Sequence, residues 1–256
     1  MQPLSLNHAF GTRTVLTAGI IKILEFFKLP PQPRSAKTKP DKSSTAYLLH
    51  LIEKGQTIFK IGPHDAAALY FLSQKVGDAG KVVAFEQQTT VRTYLTEIKQ
   101  LLSWNNVIIE HTPLTRKGDQ QPVTLTKKGR NAKGAAVISF DIKYKKAEEE
   151  KESLDKYCPA KNSYPDVLRI DAEGEEFDVL TGAIETLKSH KPKIVVTCEE
   201  RKAGRDKISS LFRFLIALNY KGYFLLDAML LPLENFDLDV YQNQQTDFYC
   251  NTFVFL

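Results

Sequence analysis

The chain has 256 residues, of which 43% are hydrophobic and 25% charged, ordinary values for a globular protein and enough to bury the core of one large α/β domain. Its net charge of +5 sits in residues 1–45, where seven basic side chains (Arg13, Lys22, Lys28, Arg34, Lys37, Lys39, Lys42) face two acids (Glu25, Asp41), while the remainder holds 28 basic and 28 acidic residues; this excludes a nucleic-acid footprint spread over the folded body. Cys158, Cys198 and Cys250 lie far apart without metal-like spacing, which speaks against a disulfide scaffold or structural zinc and fits a reducing cytoplasm, and no stretch reaches the roughly 18 apolar residues that span a bilayer.

In chain order, residues 15–29 (VLTAGIIKILEFFKL) are apolar but interrupted by Lys22, Glu25 and Lys28 at helical spacing. They read as an amphipathic helix that docks on the protein's own body, on a second copy in a homodimer, or on a membrane surface. Residues 29–44 are rich in Pro, Lys and Ser and read as a linker or strap, which divides the chain into a basic extension, 1–45, and a domain, 46–256. From there strands and helices alternate. TIFKIG (57–62) reads as a buried strand, residues 65–77 as a helix, KVVAFE (81–86) as a strand, 89–104 as an amphipathic helix and 106–112 as a strand. Residues 121–143 are less regular, a hairpin or a strand with a mobile loop. Regularity returns with a strand at 166–171, a helix at 175–190 and a strand at 192–200. A helix at 206–220, a strand at 221–227 and a closing strand at 246–256 follow. Strand–helix alternation with Val/Ile-rich strands predicts a mostly parallel sheet covered on both faces, with ligands bound beyond the carboxyl ends of its strands.

That rim is where the chemistry-bearing residues fall. Gly62 directly after the first strand allows a tight turn and close approach to a ligand. Glu86 ends the second strand 24 residues later, placed to accept hydrogen bonds from ribose hydroxyls. RIDAEGEE puts Asp171 and Glu173 at a third strand end, where two carboxylates could bind a cation, accept a substrate hydroxyl or act as a base. TCEE adds Glu199 and Glu200. Each also has a plainer reading: Gly62 as a turn residue, Glu86 as a solvated strand end, His64 as an incidental loop residue. Glu175 and Glu176 suit a helix N-terminus as dipole and surface residues.

TIFKIG, GKVVAFEQQ, VLRIDAEGEEFDVLTGA and PKIVVTCEERK, in this order and spacing, resemble the FkbM-type methyltransferases, S-adenosylmethionine-dependent enzymes with a class I, Rossmann-like fold. The resemblance covers residues 45–256. Its most specific part is the IDxEGxE stretch, here Ile170, Asp171, Glu173, Gly174 and Glu176; LNYKGYFLLD and the final TFVF also fit. It implies a seven-stranded, mostly parallel sheet with an antiparallel last strand and helices on both faces, and methylation of hydroxyl oxygens, often on sugars or polyketides. The family's first loop reads Asp-x-Gly-Ala-x-x-Gly. Here it is Lys60, Ile61, Gly62, Pro63, His64, Asp65 and Ala66, with Lys in place of the acid and Ala in place of the last Gly. A related CEERH ending appears as Cys198 to Lys202, without the histidine.

The resemblance implies that Ile61, Gly62, Pro63, His64, Glu86 and Gln87 line the donor site and that Thr112 and Pro113 flank the adenine. Asp171 would sit near the reacting methyl, with Glu173 or Glu199 toward the acceptor. The expected function is an O-methyltransferase on a sugar, glycan or other small-molecule hydroxyl. A reading from a different class, prompted by Lys60 and Ala66, is a catalytically silent member serving as a binding or scaffold module. Nucleic-acid methylation lacks an Asn-Pro-Pro-Tyr or Asp-Pro-Pro-Tyr motif, and no ligand set is specific enough to assign a metal.

Overall fold

The computed structural model describes residues 42–62, 66–112, 114, 125–130, 136–142, 152–227, 229–243 and 249–256. The expected helix at 15–29, with its expected dimer or membrane contact, lies outside the described residues. The first described element is helix α1 (Lys42–Leu51), which begins inside the stretch read as linker. Leu48 and Ile52 seat this segment in the core.

Among the described residues the main sheet has eight strands in the order β3-β2-β1-β6-β7-β10-β8-β9. They are β1 (Thr57–Ile61), β2 (Lys81–Phe85), β3 (Val107–Glu110), β6 (Val167–Ile170), β7 (Lys193–Thr197), β8 (Gly222–Leu226), β9 (Met229–Pro232) and β10 (Thr252–Phe255). Pairing is parallel from β3 through β7. β10, the last strand, inserts antiparallel between β7 and β8. These seven form the expected sheet, and β9 is an added edge strand, antiparallel to β8. The middle region forms a separate antiparallel hairpin, β4 (Leu125–Arg130) and β5 (Ala136–Ile142).

Period-two alternation splits the core into two layers. Phe59 and Ile61, Val83 and Phe85, Leu168 and Ile170, and Ile194 and Val196 face one side. There they meet α4 (Leu154–Lys161), α5 (Glu176–Thr181), α6 (Ile184–His190) and α8 (Arg205–Ala217). Ile58, Val82, Val107, Val167 and Val195 face the other side, under α1, α2 (Ala66–Val76) and α3 (Thr89–Leu101). Each buried aliphatic or aromatic side chain contributes about 1.5–3 kcal/mol, and on the first side Phe59, Phe85 and Tyr157 add edge-to-face contacts at 5.4, 5.8 and 4.9 Å between centroids. The chain runs outward from β1 to β3, returns to β6 beside β1, then runs outward the other way. The strand order therefore reverses between β1 and β6, which marks the ligand crevice of an open parallel sheet.

Two expected elements are shorter than the sequence suggests. The helix expected at 175–190 breaks at Gly182 and Ala183 into α5 and α6. Asp155 of α4 holds the break: its amide donates to Gly182 O at 3.0 Å, and its carboxylate accepts from the amides of Glu185 (3.0 Å) and Thr186 (2.8 Å) and from the Thr186 hydroxyl (2.9 Å). The first turn of α6 thus has its unpaired amides satisfied by a residue some 30 positions earlier. The closing strand is confined to Thr252–Phe255, because Cys250 N–H donates to Tyr241 O at 2.7 Å and leaves the ladder. Replacing Asp155 with Ala removes that cap, and the urea midpoint should fall by the equivalent of about 1–2 kcal/mol, with Asp155→Asn intermediate; an unchanged midpoint would mean that α6 does not depend on the contact.

Candidate active site

The crevice is built on three adjacent strand ends. Lys60 of β1 lies opposite Ala84 of β2 and Arg169 of β6, and Ile61 lies opposite Phe85 and Ile170. One rung further, Gly62 falls between Glu86 and Asp171. Asp171 N–H donates to Ile61 O at 3.0 Å, which carries the β1–β6 register onto this rung. Gly62 has φ +103°, and a Cβ there would lie 1.8 Å from Asp171 O. Only glycine fits, on conformational and on steric grounds. The result is a close backbone contact between the ends of β1 and β6, on a rung that also carries Glu86 and Asp171.

Glu86 is 6% exposed. Its amide continues the ladder to Glu110 O at 2.9 Å, and its Oε1 accepts from Gln88 N–H at 2.8 Å, so the carboxylate has a fixed bearing at the end of β2. Gln87 is exposed and Thr112, past the end of β3, is half-buried. Pro63, His64 and Pro113 lie outside the described residues. Lys60 is only 9% exposed. On the same face, the Arg169 guanidinium donates to Ile170 O (3.2 Å), Val195 O (3.4 Å) and Thr197 Oγ1 (2.7 Å).

From β6 the chain turns sharply through left-handed Glu173 (φ 52°) and Gly174 (φ 105°). A Cβ on Gly174 would sit 2.7 Å from Lys202 O, so this turn is packed against α7 (Glu200–Ala203). Glu173 is exposed and paired with Lys202 at 3.4 Å. Glu176, expected as a surface acid, is 2% exposed. Its Oε1 accepts from Gly174 N–H at 2.9 Å and its Oε2 from Cys198 Sγ at 3.7 Å. Burial, with the Asp171 charge adding to it, pushes the Glu176 carboxyl up against the lowering effect of the Gly174 amide. Burial and then the Glu176 charge also push the Cys198 thiol far above its ordinary value, so it stays protonated and donates.

Glu199 lies two residues past the end of β7. It is 6% exposed and is bound by the Arg201 guanidinium and by Asn251 Nδ2 at 2.9 Å. Burial works to raise its pKa, but the Arg201 and Asn251 hydrogen bonds and the charges of Arg201 and Lys202 prevail and hold the carboxyl below its usual range. Tyr249 also bonds Glu199, and burial followed by the Glu199 charge raises its phenol to about 12. The residues on either side of Glu199 are clamped by one side chain: Gln242 donates to Cys198 O at 2.8 Å and accepts from Glu200 N–H at 2.6 Å. Sequence spacing gave no signal for Gln242, Tyr249 or Asn251, which lie 43 to 52 positions from Glu199. The burial of Glu176 had a faint signal in the apolar Phe177, Val179 and Leu180 beside it.

The family model described as Methyltransferase FkbM domain matches residues 60–225. Among solved structures, the chain is similar to a methyltransferase FkbM from Methylobacillus flagellatus, at 12% identity over 96% of this chain and 60% of that one, with a TM-score of 0.51. It is similar to an O-methyltransferase from Bacillus cereus in complex with SAH, at 13% identity over 98% and 92% of the two chains, with a TM-score of 0.51. It is also similar to a precorrin-6y C5,15-methyltransferase from Geobacter metallireducens, at 10% identity over 88% and 93%, with a TM-score of 0.50. At these identities the likeness is one of fold. No curated protein matches the sequence.

Glu176 gives the site a pH signature. The unfolded chain ionises this carboxyl at its ordinary value, whereas the folded chain keeps the proton to higher pH. The folded state therefore holds the extra proton above the ordinary value, and this contribution to stability is complete below that value and lost as pH rises through the folded one. Glu176→Gln keeps an oxygen for the Gly174 amide and removes the titration. Its urea midpoint relative to wild type should climb as pH rises past the ordinary carboxyl range; a difference that stays constant with pH would show that burial does not shift Glu176.

Proposed function

We propose that this chain, which belongs to the methyltransferase FkbM domain family, is an S-adenosylmethionine-dependent O-methyltransferase acting on a hydroxyl of a sugar, glycan or other small molecule. The observation that carries the reading is the Glu86–Gly62–Asp171 row, three neighbouring strand ends at the point where the strand order reverses.

The residues present fit a nucleoside. Glu86 offers a carboxylate with a fixed bearing to ribose hydroxyls at the end of β2. Ile61 and Gly62, with Pro63 and His64 after them and Gln87 beside Glu86, would line the donor site; Thr112 and Pro113 would border the adenine. S-adenosylmethionine, when bound, supplies an electrophilic methyl group. The chain's task is then positioning and proton management. Asp171, half-buried beside Gly62, is the carboxylate we assign to orient the acceptor hydroxyl and take its proton. Glu173 is exposed on the acceptor side. Glu199 is held as an anion by Arg201 and Asn251, so we assign it to fixing the acceptor wall and hydrogen-bonding the acceptor.

Three buried thiols, Cys158, Cys198 and Cys250, support a reducing, cytoplasmic setting, and no helix among the described residues is long and apolar enough to cross a membrane. The second reading, a silent member acting as a binding or scaffold module, is favoured by one feature: Lys60, a buried cation where the family loop carries an acid. The double substitution Lys60→Asp and Ala66→Gly separates the two. Tight cofactor binding gained only by that variant would favour the silent module.

Isothermal titration with S-adenosylhomocysteine should detect binding, and Glu86→Ala should weaken it about tenfold to hundredfold, the equivalent of about 1.5–3 kcal/mol for hydrogen bonds to a charged group. No heat at millimolar ligand, from a protein shown to be folded, would overturn the assignment.

A further inference from the structure

We propose that the guanidinium of Arg201 is a recognition point for an oxyanion on the acceptor, so that the hydroxyl compound this chain takes is an acidic sugar bearing a carboxylate or a phosphate. The proposal rests on the methyltransferase reading above and narrows its acceptor. Arg201 stands in the short helix α7, just past the end of β7. Its Nε donates to Oε2 of Glu199. Among the described residues, nothing accepts from its Nη1 or Nη2. Glu199 is extended (φ −122°, ψ 132°). Cys198 packs in the layer of Leu168 and Ile170, whereas Thr197 bonds Arg169 on the opposite face of the sheet. Alternation therefore puts Glu199 on the side of Arg169 and, two residues further along that strand, of Asp171. The charges of Asp171 and Glu199 both reach the Cys198 thiol. An acceptor hydroxyl at Asp171 and an anion at Arg201 thus fall on one side of two neighbouring strand ends.

The arginine is both fixed and open. Glu199 is buried, and its other oxygen accepts from Asn251 Nδ2 at 2.9 Å. Swinging Arg201 away would leave that buried anion short of a charge partner, so the guanidinium is held by its Nε. The remaining edge, Nη1 and Nη2, is a planar fork of donors that matches two oxygens of a carboxylate or phosphate. With 31% of the side chain exposed, that edge is open to a ligand. Lys202, the next residue, brings a second cation whose charge is also felt at Glu199. Its own partner is the exposed Glu173 at 3.4 Å, a surface pair of little strength. Two cations thus share one buried anion whose oxygens are already engaged and one exposed anion held weakly. A further anion completes the set.

The test uses the full chain saturated with S-adenosylhomocysteine and titrated, by nuclear magnetic resonance, with D-glucuronate, D-glucose 6-phosphate and D-glucose. At least one of the two anions should bind about tenfold or more tightly than glucose and shift the Arg201 Nε–H signal. Preference for glucuronate assigns the anion as a carboxylate, and preference for the phosphate ester assigns it as a phosphate. The preference should narrow at high salt. Arg201→Lys keeps a cation for Glu199 and lacks the fork, so it should lower the preference about tenfold. Equal binding of glucose and both anions by wild type, or no binding of either anion at tens of millimolar, overturns the acceptor proposal and requires no variant to fold. A preference that survives unchanged in a folded Arg201→Lys removes Arg201 from it. Binding of S-adenosylhomocysteine is recorded first: its failure overturns the methyltransferase reading and the acceptor proposal together, whereas its success without an anion effect overturns the acceptor proposal alone.

Discussion

The close approach of two backbones, Gly62 on β1 and Asp171 on β6, is the constraint on which the crevice depends. A carbonyl occupies the space where a side chain at position 62 would begin. Several consequences follow from that one contact. β1 can turn out of the sheet with positive φ; Asp171 is drawn down to the rung of Gly62; Glu86 stands on the opposite flank. Because sheet register is discrete, a slip of one residue in either strand would exchange the faces of Lys60 and Arg169 for those of core residues such as Ile61 and Ile170. The geometry of the site and the integrity of the core are therefore set by the same pairing.

The β7 side is organised differently. There a buried carboxylate, Glu199, is satisfied by Arg201, Asn251 and Tyr249, and the peptide units around it are held by Gln242. An ionised carboxyl this deep would cost several kcal/mol without partners. With them, it draws the segment carrying Gln242 and the start of β10 onto the sheet end. Arg205, ion-paired to Glu200 at 3.0 Å and to Asp239 at 2.5 Å, is more exposed and adds less. Glu176 occupies the intermediate case: a buried carboxyl with two modest partners, whose environment favours the neutral form. Of these two buried carboxyls, one is thus pushed down and one up, each by its own surroundings.

Strand positions were legible in the sequence because a sheet buried on both faces demands continuous apolar runs, and TIFKI, KVVAF and KIVVT satisfy that demand locally. The places of Glu86, Asp171 and Gly62 just past neighbouring strand ends were legible for the same reason. What escaped was whatever is decided by a distant partner. The break at Gly182 depends on Asp155; the short β10 depends on Tyr241 O capturing the Cys250 amide; Glu176 lies inside because Gly174 and Cys198 receive it. Helix α4 carries an internal proline, Pro159, and polar residues that masked its pattern, yet Tyr157 and Cys158 bury against the sheet.

Lys60 joins these observations. Taken as a departure from a family loop, a lysine in the floor of a ligand crevice looks like loss. In the fold, its position is defined by register: the middle of a row whose other polar member is a cation, beneath a row whose two polar members are anions. At 9% exposure its aliphatic stem is part of the packing of that sheet face. The same register that seats Ile58 and Val82 in the core also fixes the face on which Lys60 stands, so the fold accommodates the departure from the family loop without a change of strand or pairing.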